Sequence, residues 1–167
     1  MMSNIQPPEP LSKDHVVNQF SSGDSSLDEW LSKRALKNEK NRASKTFVIS
    51  LKGRVIGYYA LSAGNVSHKE AYKKLARNMP DPIPAVTLGR LAIDKQYQSR
   101  GLGSSLLRDA LPRVLNVANR DFAIKVVLVH AIDQKAIDFY RSKGFYPSPI
   151  NQSTLMISVS EIEDSFS

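Results

Sequence analysis

No cysteine occurs among the 167 residues, which excludes disulfides, thiolate metal sites and a cysteine nucleophile together. No apolar run approaches the roughly 20 residues that cross a bilayer. The opening MMSNIQPPEP lacks the basic and apolar regions of a secretory signal. Internal repeats and low-complexity tracts are also missing. A soluble cytoplasmic protein is therefore expected, with no membrane partner and no metal. The single tryptophan, Trp30, reads as helix or core packing. Length suits one domain: a loose, proline-rich arm over residues 1–10, a body over 11–162 and a tail over 163–167.

Positive charge is what the chain has in excess. The net charge is +7 at pH 7, and residues 33–54 hold Lys33, Arg34, Lys37, Lys40, Arg42, Lys45, Lys52 and Arg54 against Glu39 alone. A second cluster is Lys69, Lys73, Lys74 and Arg77. Clustered cations suit a polyanion, either nucleic acid or an acidic protein. A solvated helix face is the other reading that charge alone leaves open.

Hydrophobic spacing gives the order of elements. Asp24 or Ser25 can cap a helix through residue 41, with Leu27, Leu31 and Ala35 on one face and Lys33, Lys37 and Lys40 on another. TFVISL (46–51) and RVIGYYAL (54–61) read as a hairpin turning at Lys52-Gly53. Tyr58 and Tyr59 alternate across their strand, so they face opposite ways. Tyr72, Leu75, Ala76 and Met79 mark a helix over 68–79, with Lys69, Lys73 and Arg77 along another face. Asp81-Pro82-Ile83-Pro84 then breaks the chain before a strand over 86–93. A helix over 103–119 contains Pro112 and should kink there. KVVLVHAI (125–132) reads as a strand buried on both faces, making His130 a core residue. Asp133 caps a helix over 134–143 that Gly144 ends, and TLMISV (154–159) is the last strand. The alternation describes an α/β fold with a mixed central sheet flanked by helices.

Between the strand over 86–93 and the following helix stands Gln98-Ser99-Arg100-Gly101-Leu102-Gly103-Ser104. A strand, a glycine-rich turn and a helix start together form a cradle for phosphate. Backbone N–H groups converge on the anion, and the helix N-terminus adds about half a positive charge. The spacing excludes a P-loop, which needs four residues between its glycines and then Gly-Lys-Ser/Thr. It also misses the dinucleotide GxGxxG.

RLAIDKQYQSRGLGSSLL (90–107) resembles motif A of the GNAT N-acetyltransferases, whose loop binds the pyrophosphate of acetyl-CoA. Gln98, Gly101 and Gly103 meet the family pattern Gln/Arg-x-x-Gly-x-Gly/Ala. The resemblance implies a single-domain GNAT fold, with Leu91, Ala92 and Ile93 along the pantetheine arm and acetyl-CoA as co-substrate. AIDFYRSKGF (136–145) is similar to the next motif, which implies Tyr140 as the catalytic tyrosine and Phe139 beside the coenzyme. FSSGDSSLDEWL, RALKNEKNRASKTFVI, VIGYYALSAG and RNMPDPIPAVTLGRLAID extend the likeness to one branch over roughly residues 10–162. That branch comprises the GNAT toxins of bacterial toxin–antitoxin modules, which acetylate aminoacyl-tRNA. Ser22 departs from it, standing where a cysteine is usual.

The branch implies further expectations. Lys33, Lys37, Lys40, Lys69, Lys73 and Arg77 would hold the tRNA acceptor stem. A ribbon–helix–helix antitoxin encoded nearby would neutralise the toxin and carry it to operator DNA, and the toxin would be a homodimer. An acetyltransferase of small amines or protein N-termini, and a non-catalytic acetyl-CoA-binding module, stay open as alternatives. Chemistry narrows them. Without cysteine no acetyl-cysteine intermediate can form, and direct transfer in a ternary complex is expected. Tyr140 can supply a proton to the departing thiolate, since a phenol of reference pKa about 10 is protonated at neutral pH. No carboxylate or histidine presents itself as the base. An α-amine of pKa about 8 needs one less than a lysine of about 10.4.

Overall fold

The structure is a computed structural model and describes residues 4–166. Residues 1–3 of the expected arm and 167 of the expected tail lie outside it. Its strands are β1 (Glu9–Pro10), β2 (Lys45–Leu51), β3 (Arg54–Val66), β4 (Ile83–Ile93), β5 (Val126–His130), β6 (Tyr146–Ser148) and β7 (Asn151–Ser158). They form one sheet in the order β1-β2-β3-β4-β5-β7-β6. The β4–β5 pair is parallel, whereas β1–β2, β2–β3, β5–β7 and β6–β7 are antiparallel. The helices are α1 (Ser25–Lys33), α2 (Ala35–Lys40), α3 (Lys73–Ala76), α4 (Leu102–Arg120), α5 (Gln134–Ser142) and α6 (Val159–Phe166).

The chain folds as two compact units. One takes everything up to Ser62 together with Gly89–Ala110, and the other takes Ala63–Leu88 and everything from Leu111. In the first, Leu11, Phe20, Leu27, Leu31, Ala35, Val48, Val55, Tyr58 and Ala92 form the core, with Trp30 against it. The spacing of Leu27, Leu31 and Ala35 thus did predict the buried stripe. In the second, Val66, Leu75, Ile83, Val126, Leu128 and Met156 are packed together. Tyr58 and Tyr59 are both fully buried, and their hydroxyls go to different partners, Leu27 O and Asp109.

Several local expectations need correction. The arm is tied down from Gln6, whose N–H donates to Ser50 O at 2.8 Å, and Glu9–Pro10 pairs with β2. The helix expected through residue 41 breaks at Arg34, where φ widens to −118°. Lys33 and Arg34 cluster at that break, and cations favour the partial negative charge of a helix C-terminus. The helix expected over 68–79 shrinks to the four residues of α3. His68 is the cause: its Nε2 lies 3.0 Å from Met79 O and 2.9 Å from Pro80 O, so the ring N–H holds the segment as a loop. The apolar residues Tyr72, Leu75, Ala76 and Met79 still face the core of this unit.

β4 begins at Ile83, not 86, because Pro84 keeps a ladder carbonyl that accepts from Lys125 N at 3.0 Å. α4 runs through Pro112 without interruption. His130 is exposed, not core. It is the last residue of β5, past the buried run, and its Nδ1 sits 3.3 Å from Thr154 Oγ1. Residues 163–166 of the expected tail continue α6, which together with β6 went unforeseen.

Candidate functional site

The cradle starts from a buried carboxylate. Asp94, 1% exposed, follows β4 directly, and its N–H donates to Ile56 O at 2.8 Å. Its Oδ1 accepts from Gln96 N at 3.0 Å, which shapes a 3₁₀ turn over Lys95–Tyr97. Its Oδ2 accepts from Ser21 N at 3.1 Å and from the Arg54 guanidinium at 3.3 Å. One side chain therefore fixes the exit of the strand, the turn after it and the loop before α1.

Gln98 extends the brace. Its side-chain amide donates to Ile93 O at 2.9 Å and to Ser22 O at 2.8 Å. The motif glutamine, expected among the coenzyme contacts, is thus engaged in holding the loop's own backbone. Ser22 is the other end of that brace. Its N–H and hydroxyl both donate to Asp28 Oδ1, at 2.9 and 2.7 Å.

Beyond Gln98 the backbone alternates. Ser99 has φ 64° and Gly101 φ 80°, both left-handed, on either side of Arg100. Such alternation turns successive N–H groups toward one concave side and makes an anion nest. Gly101 is exposed, and a Cβ there would meet nothing within 4 Å. The space over it is therefore open to an approaching ligand. The carbonyl of Gly101 accepts from Ser105 N at 3.1 Å, so α4 starts at Leu102. The first amides of a helix have no intrahelical acceptor, and here they belong to Leu102, Gly103 and Ser104. Arg100 lies with its guanidinium carbon 5.2 Å from the Tyr97 ring centre. These residues fit a diphosphate: an open approach, converging amides, a 19-residue helix pointing its positive end outward, and one arginine nearby.

On β4 itself, Ala92 belongs to the core of its unit. Leu91 is half-buried and Ile93 is 9% exposed; by strand alternation both face away from Ala92.

Tyr140 sits in α5, whose start is capped by Asp133 accepting from Ala136 N at 2.8 Å. Its carbonyl accepts from both Lys143 N and Phe145 N, at 3.0 and 3.1 Å. That closure requires the left-handed φ of 95° at Gly144, and it returns Phe145 edge-on to Tyr140 at 5.4 Å. The FYRSKGF spelling is thereby explained as the geometry of a helix end. Phe139 stands edge-on to Tyr140 at 5.2 Å. Tyr140 is 7% exposed, and burial pushes the pKa of its phenol up from the ordinary value near 10. It stays protonated well into the alkaline range.

The expected cation sites are all exposed. Lys33 ends α1, while Lys37 and Lys40 share the last turn of α2. Lys73 begins α3 and Arg77 caps its end, but Lys69 lies in the turn before it. Sequence reasoning passed over Asp94 and Arg54. An acid immediately after an apolar strand, and before a glycine turn, was the available signal. Among the described residues no group of three or more His, Cys, Asp or Glu could hold a metal ion, and no helix is long and apolar enough to cross a membrane.

Residues 42–147, which include β4, the cradle and α5, match the model of the acetyltransferase (GNAT) domain. The chain belongs to the GNAT acetyltransferases. Within that family it is 44% identical over 156 residues to the tRNA-acetylating toxin of Mycobacterium tuberculosis (strain ATCC 25618 / H37Rv), covering 93% of each chain. Among solved structures it resembles AtaT complexed with acetyl-methionyl-tRNAfMet, with a TM-score of 0.89 and 27% identity over 98% of this chain and 99% of that one. A tyrosine-to-phenylalanine mutant of AtaT bound to the C-terminus of the antitoxin AtaR and acetyl-CoA superposes with a TM-score of 0.81, at 27% identity over 98% and 99% of the two chains.

Proposed function

We propose that this protein transfers the acetyl group of acetyl-CoA to the α-amine of an aminoacyl-tRNA and so acts as a translation-blocking toxin. The observation that carries this reading is the 44% identity to a tRNA-acetylating toxin along 93% of both chains. The nest at 99–101 would take the coenzyme diphosphate on the amides of Gly101 to Ser104. In the solved relatives, AtaT is seen with an acetylated methionyl-tRNA and with an antitoxin. We extend both partners to this chain: a charged tRNA on the cations of α1, α2 and α3, and an antitoxin of ribbon–helix–helix type that carries a homodimeric toxin to operator DNA. The cytoplasm is where those partners meet.

Bound acetyl-CoA supplies a thioester whose C–S bond breaks as the acceptor nitrogen bonds to the acetyl carbon, with one nitrogen proton ending on sulfur. The chain's part is to hold and to donate. The N–H of Ile93 would hold the thioester oxygen, fixed in place by Gln98 on the same residue's carbonyl. The Tyr140 hydroxyl would donate to the departing sulfur. Burial moves this phenol away from a thiol value of about 8.5. Its contribution is therefore a hydrogen bond that strengthens as charge builds on sulfur, and the proton it passes late is replaced by the one the acceptor nitrogen releases.

The test is transfer of labelled acetyl to charged and uncharged tRNA. Label is expected on charged tRNA only, and reversing Lys33, Lys37 and Lys40 to glutamate should abolish it. Absence of transfer to every charged tRNA removes the reading. Turnover unaffected by the reversal points to a small amine instead.

The pH profile has a definite shape. An α-amine must be neutral to attack, so kcat/KM should rise with pH and level near about 8. Tyr140 must keep its proton, and its raised pKa means that it does so across the same range. Initial rates between about pH 6 and 9 should therefore show one rising limb. A fall before pH 9 would remove the phenol as donor.

A further inference from the structure

Arg90 is an arginine held still without a carboxylate. It lies on β4, one residue before Leu91, and is half-buried. Its guanidinium carbon sits 4.4 Å from the centre of the Trp30 ring. Trp30, on α1, stacks in turn on Tyr58 with ring centres 5.9 Å apart and planes 11° from parallel. Tyr58 is fully buried, donates its hydroxyl to Leu27 O at 2.7 Å, and meets Phe20 edge-on at 5.5 Å. Burial pushes the Tyr58 phenol up, and the Arg90 charge acts against that shift, consistent with a cation fixed close by.

The nearby acids are engaged elsewhere. Asp24 accepts from Ser26 N and Leu27 N at 2.9 and 3.2 Å, as the cap of α1. Asp28 accepts from Ser22 N and Oγ. Among the described residues, no carboxylate oxygen comes within 4.0 Å of an Arg90 nitrogen. Arg54 on β3 makes the contrast, being committed to Asp94 at 3.3 Å. A planar fork with unclaimed donors, already immobilised by an aromatic stack, suits bidentate capture of a phosphate. Because the side chain is ordered in advance, little rotamer freedom is lost on binding.

We propose that Arg90, braced by Trp30, anchors a backbone phosphate at the single-stranded acceptor end of the RNA substrate. Reach supports this assignment. Arg90 and Ile93 are three strand residues apart, about 10 Å. In a charged RNA, the α-amine and the nearest backbone phosphate are separated by about eight bonds, roughly 10 Å when extended. Along the strand axis the two spans match. The proposal rests on the aminoacyl-tRNA reading, and the phosphate chemistry is shared with the coenzyme, so the test separates both.

Arg90→Ala and Arg90→Lys would be compared with the wild type in steady-state acetyl transfer. Arg90→Ala should raise the KM for charged tRNA by about 10- to 100-fold, with the KM for acetyl-CoA within about twofold. Lysine keeps the charge over Trp30 but loses the fork, so it should recover only part. A second arm measures binding of a short, uncharged single-stranded RNA ending in CCA, without coenzyme. Arg90→Ala should weaken it and lower the salt slope by about one. If the wild type acetylates no charged tRNA, the functional reading alone fails, and the oligonucleotide decides the anchor. RNA affinity unchanged in both variants overturns the proposal. So does a rise confined to the acetyl-CoA KM, which would assign Arg90 to a coenzyme phosphate.

Discussion

Tyr140→Phe is expected to yield a folded, coenzyme-binding protein whose acetyl transfer is slower by roughly 10²- to 10⁴-fold. The ring stays between Phe139 and Phe145, whose edge-on contacts at 5.2 and 5.4 Å do not involve the hydroxyl. The helix end also survives, because the closure at Gly144 uses only backbone groups. What disappears is the donor to sulfur. A single-turnover rate with saturating acetyl-CoA isolates that loss, while calorimetry with the coenzyme should give an unchanged Kd. A rate within about threefold of wild type would leave the phenol without a chemical role.

Asp94→Ala should be the most destabilising single change near the cradle. The carboxylate is 1% exposed and accepts from Ser21 N, Gln96 N and Arg54. Removing it strands two backbone donors and a guanidinium that is only partly open to water, with 32% of its side chain exposed. Breaking a buried pair costs about 3–5 kcal/mol, and the solvent reaching Arg54 lowers this to about 3 kcal/mol. For a chain of this size the thermal midpoint should fall by roughly 6–12 °C. Coenzyme affinity should fall with it, since the turn at Lys95–Tyr97 loses its cap. Asp94→Asn, which keeps the shape and one acceptor oxygen, should recover part of both. A midpoint within about 2 °C of wild type in the alanine variant would show that the carboxylate carries no such load.

Much of this was legible from residues alone, and the reason is local. Lys52-Gly53 turns a hairpin whatever surrounds it, and its register, with Leu51 opposite Arg54, follows from the turn. Asp133 and Gly144 bracket α5 by their own backbone preferences. The turn ahead of α4 was legible because its left-handed conformation is written into Gly101. The parts that escaped depend on partners distant in the chain. Nothing near residue 68 announces that His68 will bind the carbonyls of Met79 and Pro80 and hold a helical pattern open. The brace from the Gln98 amide to Ser22 O, far upstream, was likewise invisible in the sequence. His130 was misjudged because the continuous apolar run hid where burial stops, at Val129. At His68 and Gln98 the missed feature is a side chain that holds backbone in place of regular pairing.

The double brace from Gln98 has a dynamic corollary. Its one amide pins the exit of β4 and the loop ahead of α1 to each other, so neither segment has to settle into shape when the nucleotide arrives. Less of the affinity for the coenzyme is then lost to ordering the polypeptide. A loop fixed in this way has its conformation before any ligand arrives, so binding need not supply it.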